Sequence, residues 1–219
     1  MLGKVPNWQL LTSEFNSKIN ETKVIRGTER NMMKQSQITY WCHEIIRSQA
    51  QVGGIYIDAT MGNGNDTLML CELAGDTGEV FAFDIQRQAV DTTRALLEKQ
   101  AVTTKYHLIL DGHENMDNYV QPSCADVICF NFGYLPGGDH EIATKASTSI
   151  VAIQKGLAIL KSGGMMSLCV YSGGDTGFEE RDCILNYLKE LPAKEYTVIV
   201  NQYYNRSNNP PIPIFIFKK

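Results

Sequence analysis

Five short apolar runs, each followed by a stretch with helical spacing, restrict this chain to very few architectures. The runs cover residues 55–59, 80–85, 106–110, 127–132 and 165–171. They are apolar on both faces, as expected of strands buried inside a parallel sheet. Between them, residues 66–74, 86–99, 114–120 and 141–161 read as helices. In the last of these, Ile142, Ala146, Ile150, Ile153, Leu157 and Leu160 form a stripe at helical spacing, and Ser162-Gly163-Gly164 stops it. A helix through Tyr40, Ile45 and Ile46 precedes Gly53-Gly54, and another covers about 178–191. Two final strands, 196–203 and 212–217, flank a polar loop. This alternation predicts an α/β fold: a doubly wound, mostly parallel seven-stranded sheet of Rossmann-like form with an antiparallel last strand.

Residues 1–34 read differently. They are rich in Asn, Thr, Ser, Glu and Lys, and Leu11, Phe15 and Ile19 share one helical face. They are expected to form an N-terminal extension, with the domain proper at 35–219. A chain of 219 residues suits one such domain. The net charge of −4 argues against a broad basic surface for nucleic acid, so any such contact must be local. The six cysteines never form a Cys-x-x-Cys pair, which points to free thiols in a reducing cytoplasm and to no metal site. No apolar stretch reaches the ~20 residues of a membrane span, so no membrane association is expected.

In such a sheet, ligands sit beyond the carboxyl ends of the strands. The first strand ends in Asp58-Ala59-Thr60-Met61-Gly62-Asn63-Gly64-Asn65-Asp66-Thr67. Gly62 and Gly64 permit a tight turn and close backbone approach to a ligand. A dinucleotide site would need a third glycine where Thr67 stands. Two acids, Asp58 and Asp66, would also oppose a pyrophosphate. S-adenosylmethionine, with a sulfonium and an ammonium, suits an acidic loop. Asp84, at the end of the second strand beside Ile85 and Gln86, is placed to take two ribose hydroxyls. The third strand ends in Asp111-Gly112-His113. Asp111 either accepts from an adenine amino group or closes a turn, and His113 reads as a helix-start or surface histidine at the rim of the cofactor site.

The fourth strand ends in Asn131-Phe132-Gly133-Tyr134-Leu135-Pro136-Gly137-Gly138-Asp139-His140. A polar residue, an aromatic, a proline and paired glycines make a stiff loop at the active edge. It is similar to the Asn-Pro-Pro-Tyr motif of amino-group methyltransferases. By that resemblance Asn131 would accept from the target nitrogen while bordering the cofactor, and Tyr134 would stack on the base. Asp139 either caps the next helix or takes a proton.

Four segments together resemble one bacterial family: 58–67, Phe83-Asp84-Ile85-Gln86, the Asn131–His140 loop and Asn208-Asn209-Pro210-Pro211. These are class I methyltransferases long labelled rRNA methylases, some assigned to the tRNA wobble uridine. The resemblance covers about 33–219. It implies N-methylation of 5-aminomethyl-(2-thio)uridine in the anticodon loop of tRNA, with S-adenosylmethionine as cofactor. It also implies a substrate side formed by Phe132, Gly133, Tyr134, Gly137, Gly138, His140, Tyr171, Asn205, Asn208, Asn209 and Pro210. The chain departs from the pattern in its first ~33 residues, in Phe132 where Leu is common, and in lacking a histidine after Tyr171. Other readings are an rRNA or small-molecule N-methyltransferase, a NAD-dependent oxidoreductase and a non-catalytic cofactor-binding subunit. The sequence is compatible with a homodimer.

Overall fold

The computed structural model describes residues 38–133, 143–172 and 174–219. The expectations for residues 1–34 and for Tyr134, Gly137, Gly138, Asp139 and His140 lie outside the described residues. Two compact units divide the chain, Met1–Trp41 and Cys42–Lys219. Only the four helical residues 38–41 of the first are described.

The elements run in the order α1 (Ile38–Gln49), β1 (Ile55–Asp58), α2 (Asn65–Ala74), β2 (Glu79–Asp84), α3 (Arg87–Lys99) and β3 (Lys105–Leu110). A 3-10 turn (His113–Asn118) leads to β4 (Ala125–Phe132), α4 (Ala146–Ile159), β5 (Leu160–Val170), α5 (Gly174–Lys189), β6 (Tyr196–Val200) and β7 (Ile212–Lys218). The seven strands form one sheet in the order β3-β2-β1-β4-β5-β7-β6. All neighbouring pairs are parallel except those of β7 with β5 and with β6. The expected doubly wound sheet with an antiparallel last strand is therefore present.

The order places the site. From β1 the chain winds outward to β3, then returns to β4 on the other side. The crevice of the switch point lies beyond the carboxyl ends of β1 and β4. β1 and β4 are almost wholly buried, which explains their unbroken apolar runs. α3 is amphipathic, burying Ala89, Val90, Thr93 and Leu97. α4 lies so close to the sheet that a Cβ on Gly156 would come within 2.7 Å of the Met166 side chain. The core gathers around Ile57, Phe83, Ile128, Phe130, Phe132, Ile153 and Met166.

Several boundaries differ from those expected. α4 begins at Ala146, because Lys145 is extended, and ends at Ile159. Leu160 already pairs with Ala125, so Ser162-Gly163-Gly164 lie within β5 beside a register shift, not in a helix-ending loop. α5 begins at Gly174, ahead of Phe178. β6 stops at Val200, short of Tyr203. The Asn201 N–H donates to the Pro213 carbonyl at 2.9 Å, and proline has no N–H to return on that side, so the ladder ends there.

Candidate functional site

The loop after β1 is built on two glycines in the left-handed region, Gly62 (φ 52°) and Gly64 (φ 80°). Gly64 is also the N-cap of α2, and a Cβ there would lie 2.6 Å from the Thr93 hydroxyl oxygen. Only glycine meets both demands. The loop is held from below by Asp58, which is fully buried and accepts from the Thr60 N–H (3.2 Å) and the Thr67 hydroxyl (2.6 Å). Asp84 holds it from the side, accepting from the Gly62 N–H (3.0 Å) and the Gln86 N–H (2.9 Å). The position of Asp84 is the expected one, and both oxygens also order the loop. Asn63 is exposed on the turn, and Ile85, 61% exposed, is an apolar side chain open at the end of β2.

Three carboxylates thus crowd one small volume. Burial, followed by the charges of Asp66 and Asp84, pushes the Asp58 pKa up to about 7. Burial would raise Asp66 as well, but His43 and the Asn131 amide outweigh it and hold that carboxyl below its ordinary value. Asp66 does not cap α2, whose N-cap has no side-chain bond. It lies between two partners instead, accepting from His43 Nε2 (2.7 Å) on one oxygen and from Asn131 Nδ2 (2.8 Å) on the other. A loop with this much negative charge and no phosphate-binding glycine at position 67 fits a cationic ligand.

The end of β4 is tied to this loop twice. The Asn131 backbone N–H donates to the Thr60 hydroxyl at 2.7 Å, and the Asn131 side-chain amide donates to Asp66. Its Nδ2 is thereby fixed toward Asp66, and its carbonyl oxygen forms the other edge of the planar amide. Gly133 exchanges two hydrogen bonds with Thr144, through its N–H to the Thr144 hydroxyl and its carbonyl from the Thr144 N–H, both 2.9 Å. Thr144 donates in turn to Glu180 (2.8 Å), which also receives the Ser149 hydroxyl (2.5 Å). Glu180 is 2% exposed, and burial raises its pKa.

Two expectations need correction. Phe132 is fully buried, stacked on Phe130 with ring centroids 5.0 Å apart, so its ring belongs to the core and not to an open substrate face. A β-strand alternates its faces, and the interior claims this one. His113 does open the 3-10 turn, but it is a buried residue, edge-on to Phe130 and Phe132, and not a surface histidine. Burial pulls its pKa down, against the opposing charge of Glu114.

Asp111 accepts from the Gly112 N–H and Asn115 Nδ2 (both 2.8 Å) and from the Tyr119 hydroxyl (2.9 Å). It closes the turn after β3, and it stands at the same edge as Asp84. Tyr171 follows β5, and its N–H donates to the Phe132 carbonyl at 3.2 Å, which puts it level with Gly133. Asn205, Asn208 and Asn209 are exposed on the loop between β6 and β7, with Pro210 half-buried. Sequence reasoning does not single out His43, Thr93, Thr144 or Glu180. Each acts through a partner 23 or more residues away, and no local pattern marks such pairs. All six cysteines are free thiols. Among the described residues, no helix is long and apolar enough to cross a membrane.

The strand order, the glycine loop and the acid that ends β2 define a class I methyltransferase. A family model described as "Putative rRNA methylase" matches residues 80–217, and the chain belongs to that family of S-adenosylmethionine-dependent RNA methyltransferases. Among its relatives is the "tRNA (mnm(5)s(2)U34)-methyltransferase, chloroplastic" of Arabidopsis thaliana, 35% identical over 209 residues, 89% of this chain and 76% of that one. A solved structure titled a putative rRNA-methylase, from Clostridium thermocellum, is 40% identical with a TM-score of 0.82, covering 84% of this chain and 98% of that one. A "putative methyltransferase" of Streptococcus mutans, solved in complex with SAH, is 38% identical with a TM-score of 0.76, covering 84% and 99%.

Proposed function

We propose that the chain methylates the primary amine of 5-aminomethyl-(2-thio)uridine at the wobble position of tRNA, giving the 5-methylaminomethyl form. The observation that carries this reading is the direction of the Asn131 amide. With Nδ2 donated to Asp66, the carbonyl is the edge left for an acceptor, and it suits an N–H donor. The name of the Arabidopsis relative supports the choice of base.

The bound cofactor supplies an electrophilic methyl group on a cationic sulfur. Asp58, Asp66 and Asp84 would provide negative charge for it, the backbone at Gly62 and Gly64 would let it approach closely, and Asp84 would hold its ribose. Thr60, Asn63, Thr67, Ile85, Gln86, Asp111, Gly112 and His113 complete the proposed cofactor side. Asn131 would hold and orient the acceptor nitrogen through its side-chain carbonyl. Such alignment is worth several kcal/mol of barrier, up to ~7–11 in well-oriented reactions. The nitrogen must lose one proton overall, because an alkylammonium has no lone pair. Asp139 is our candidate to receive it, and Tyr134 our candidate to stack on the base. A wobble base lies in a single-stranded loop, so it reaches the site without opening a duplex, which suits an acidic protein.

The test gives purified protein and labelled cofactor to tRNA from cells lacking the final methyl group. Label should enter only tRNAs that carry the aminomethyl base. Label in rRNA, or equal label in tRNA without that group, would overturn the substrate and favour the rRNA reading.

A further inference from the structure

A second concavity opens beside the site, on the β6–β7 loop and the first turns of α5. It has a volume of about 200 Å³ and is lined by Ser172, Arg181, Gln202, Tyr203, Arg206 and Asn209, among others. We infer that it binds a phosphodiester of the RNA strand, on a nucleotide flanking the methylated one. This rests on the RNA reading above.

Position is the first argument. Phe132 pairs with Val170, and Val170 pairs with Ile212, which also lines the cavity. At ~4.8 Å per strand, the cavity sits about 10 Å along the active edge from the end of β4. A chain that delivers one base to Asn131 passes over it.

Chemistry is the second. Two guanidinium groups line one small cavity in a chain whose net charge is −4. Arg206 lies over the Tyr203 ring, 4.2 Å from its centroid, and Arg181 lies 5.0 Å over Phe178. These cation–π contacts help hold both guanidinium groups in place before a ligand arrives. Arg181 also donates to Asp182 through Nε and Nη2, both at 2.7 Å, and Asp182 is itself exposed. That pair leaves other N–H groups of the guanidinium for an anion. Ser172, Gln202 and Asn209 add neutral polar groups suited to phosphate or ribose oxygens. Asn209 adopts φ 48°, a left-handed conformation that asparagine tolerates better than most residues and that turns the loop over the cavity.

Size is the third. Pockets that enclose a whole small ligand span roughly 300–1,000 Å³. This one is smaller, and it suits a phosphate group on a strand that continues out of it.

The experiment measures binding of a synthetic anticodon stem-loop RNA at several salt concentrations, for wild type, Arg181→Gln, Arg206→Gln and Arg206→Lys. Affinity for S-adenosylhomocysteine, by calorimetry, establishes that each variant is folded. We expect each Gln variant to bind the RNA about tenfold more weakly. The slope of log K against log salt should shrink by roughly 0.7 per lost phosphate contact, the value for single strands. Arg206→Lys keeps the charge and should keep the slope. Folded Gln variants with wild-type affinity and slope would overturn the subsite alone. Failure of the wild type to bind the hairpin would overturn the RNA reading and the subsite together.

Discussion

Asn131 donates its side-chain amide to Asp66 at 2.8 Å, across the crevice where the sheet reverses its winding. One residue closes β4 and the other lies in the first turn of α2, 65 positions earlier. The loop after β1 and the end of β4 are therefore one hydrogen-bonded unit. His43 on α1 completes it from the far side of Asp66 at 2.7 Å.

Removal of the acceptor-side group should act on turnover. Asn131→Ala is expected to lower kcat by about 100-fold or more while cofactor affinity changes only a few-fold, because the interaction proposed for it is with the acceptor nitrogen. His43→Ala should give a smaller fall in kcat, about tenfold, by loosening Asp66. Steady-state kinetics beside calorimetry with S-adenosylhomocysteine separates the two effects. Wild-type kinetics in a folded Asn131→Ala protein would place the acceptor elsewhere.

Asp84→Ala should act on the cofactor. Its carboxylate orders the Gly62 and Gln86 N–H groups and is the partner proposed for the ribose. The expected loss of binding is ~1.5–3 kcal/mol, the range for hydrogen bonds to a charged group. An unchanged Kd would reject the ribose assignment.

Asp58 predicts a pH dependence. Its folded pKa is about 7, against ~3.9 in an unfolded chain. For a group raised on folding, the stabilisation is complete below about pH 4 and is lost as pH rises through about 7. Asp66, held low, contributes its own change below about pH 4. Asp58→Asn should flatten the decline between pH 4 and 7 relative to wild type in urea-unfolding series. A cationic cofactor favours the ionised carboxylate, so its binding should tighten from pH 6 to 8 and release protons. Calorimetry in buffers of different ionisation enthalpy would show that release. Identical pH profiles for wild type and variant would refute the role of Asp58.

Gly64→Ala should destabilise the fold by ~1–3 kcal/mol. The new methyl group meets Thr93 at 2.6 Å, and the backbone there has φ 80°. Thermal melting checks this. Shortening Thr93 to serine removes only the methyl part of the clash, so it should recover a fraction of the loss.

The sheet is readable from the sequence because a parallel strand buried on both faces leaves an unbroken apolar run, as at Val127–Phe132. The glycine loop and Asp84 are readable because they follow such runs at fixed offsets. The ends of β5 and β6 are not, since they depend on pairing: Leu160 joins the sheet opposite Ala125, and Pro213 ends a ladder on a neighbouring strand. Phe132 misleads because it lies next to an active-edge asparagine, and the alternation of strand faces turns it into the core. His43 and Glu180 carry no local signal, because their partners come from distant turns of the chain.

Glu180 and Arg181 are consecutive residues on α5, and they serve different tasks. Glu180 is sealed inside, gripping Thr144 and Ser149, and through Thr144 it holds Gly133 at the mouth of the acceptor loop. Arg181 lines the concavity assigned to the RNA strand. One peptide bond separates Arg181 from the residue whose carboxylate secures Gly133 through Thr144. On the proposed reading, grasping the polymer and aiming its base would share one turn of helix, and a poorly seated strand would mis-set the aim as well as the grip.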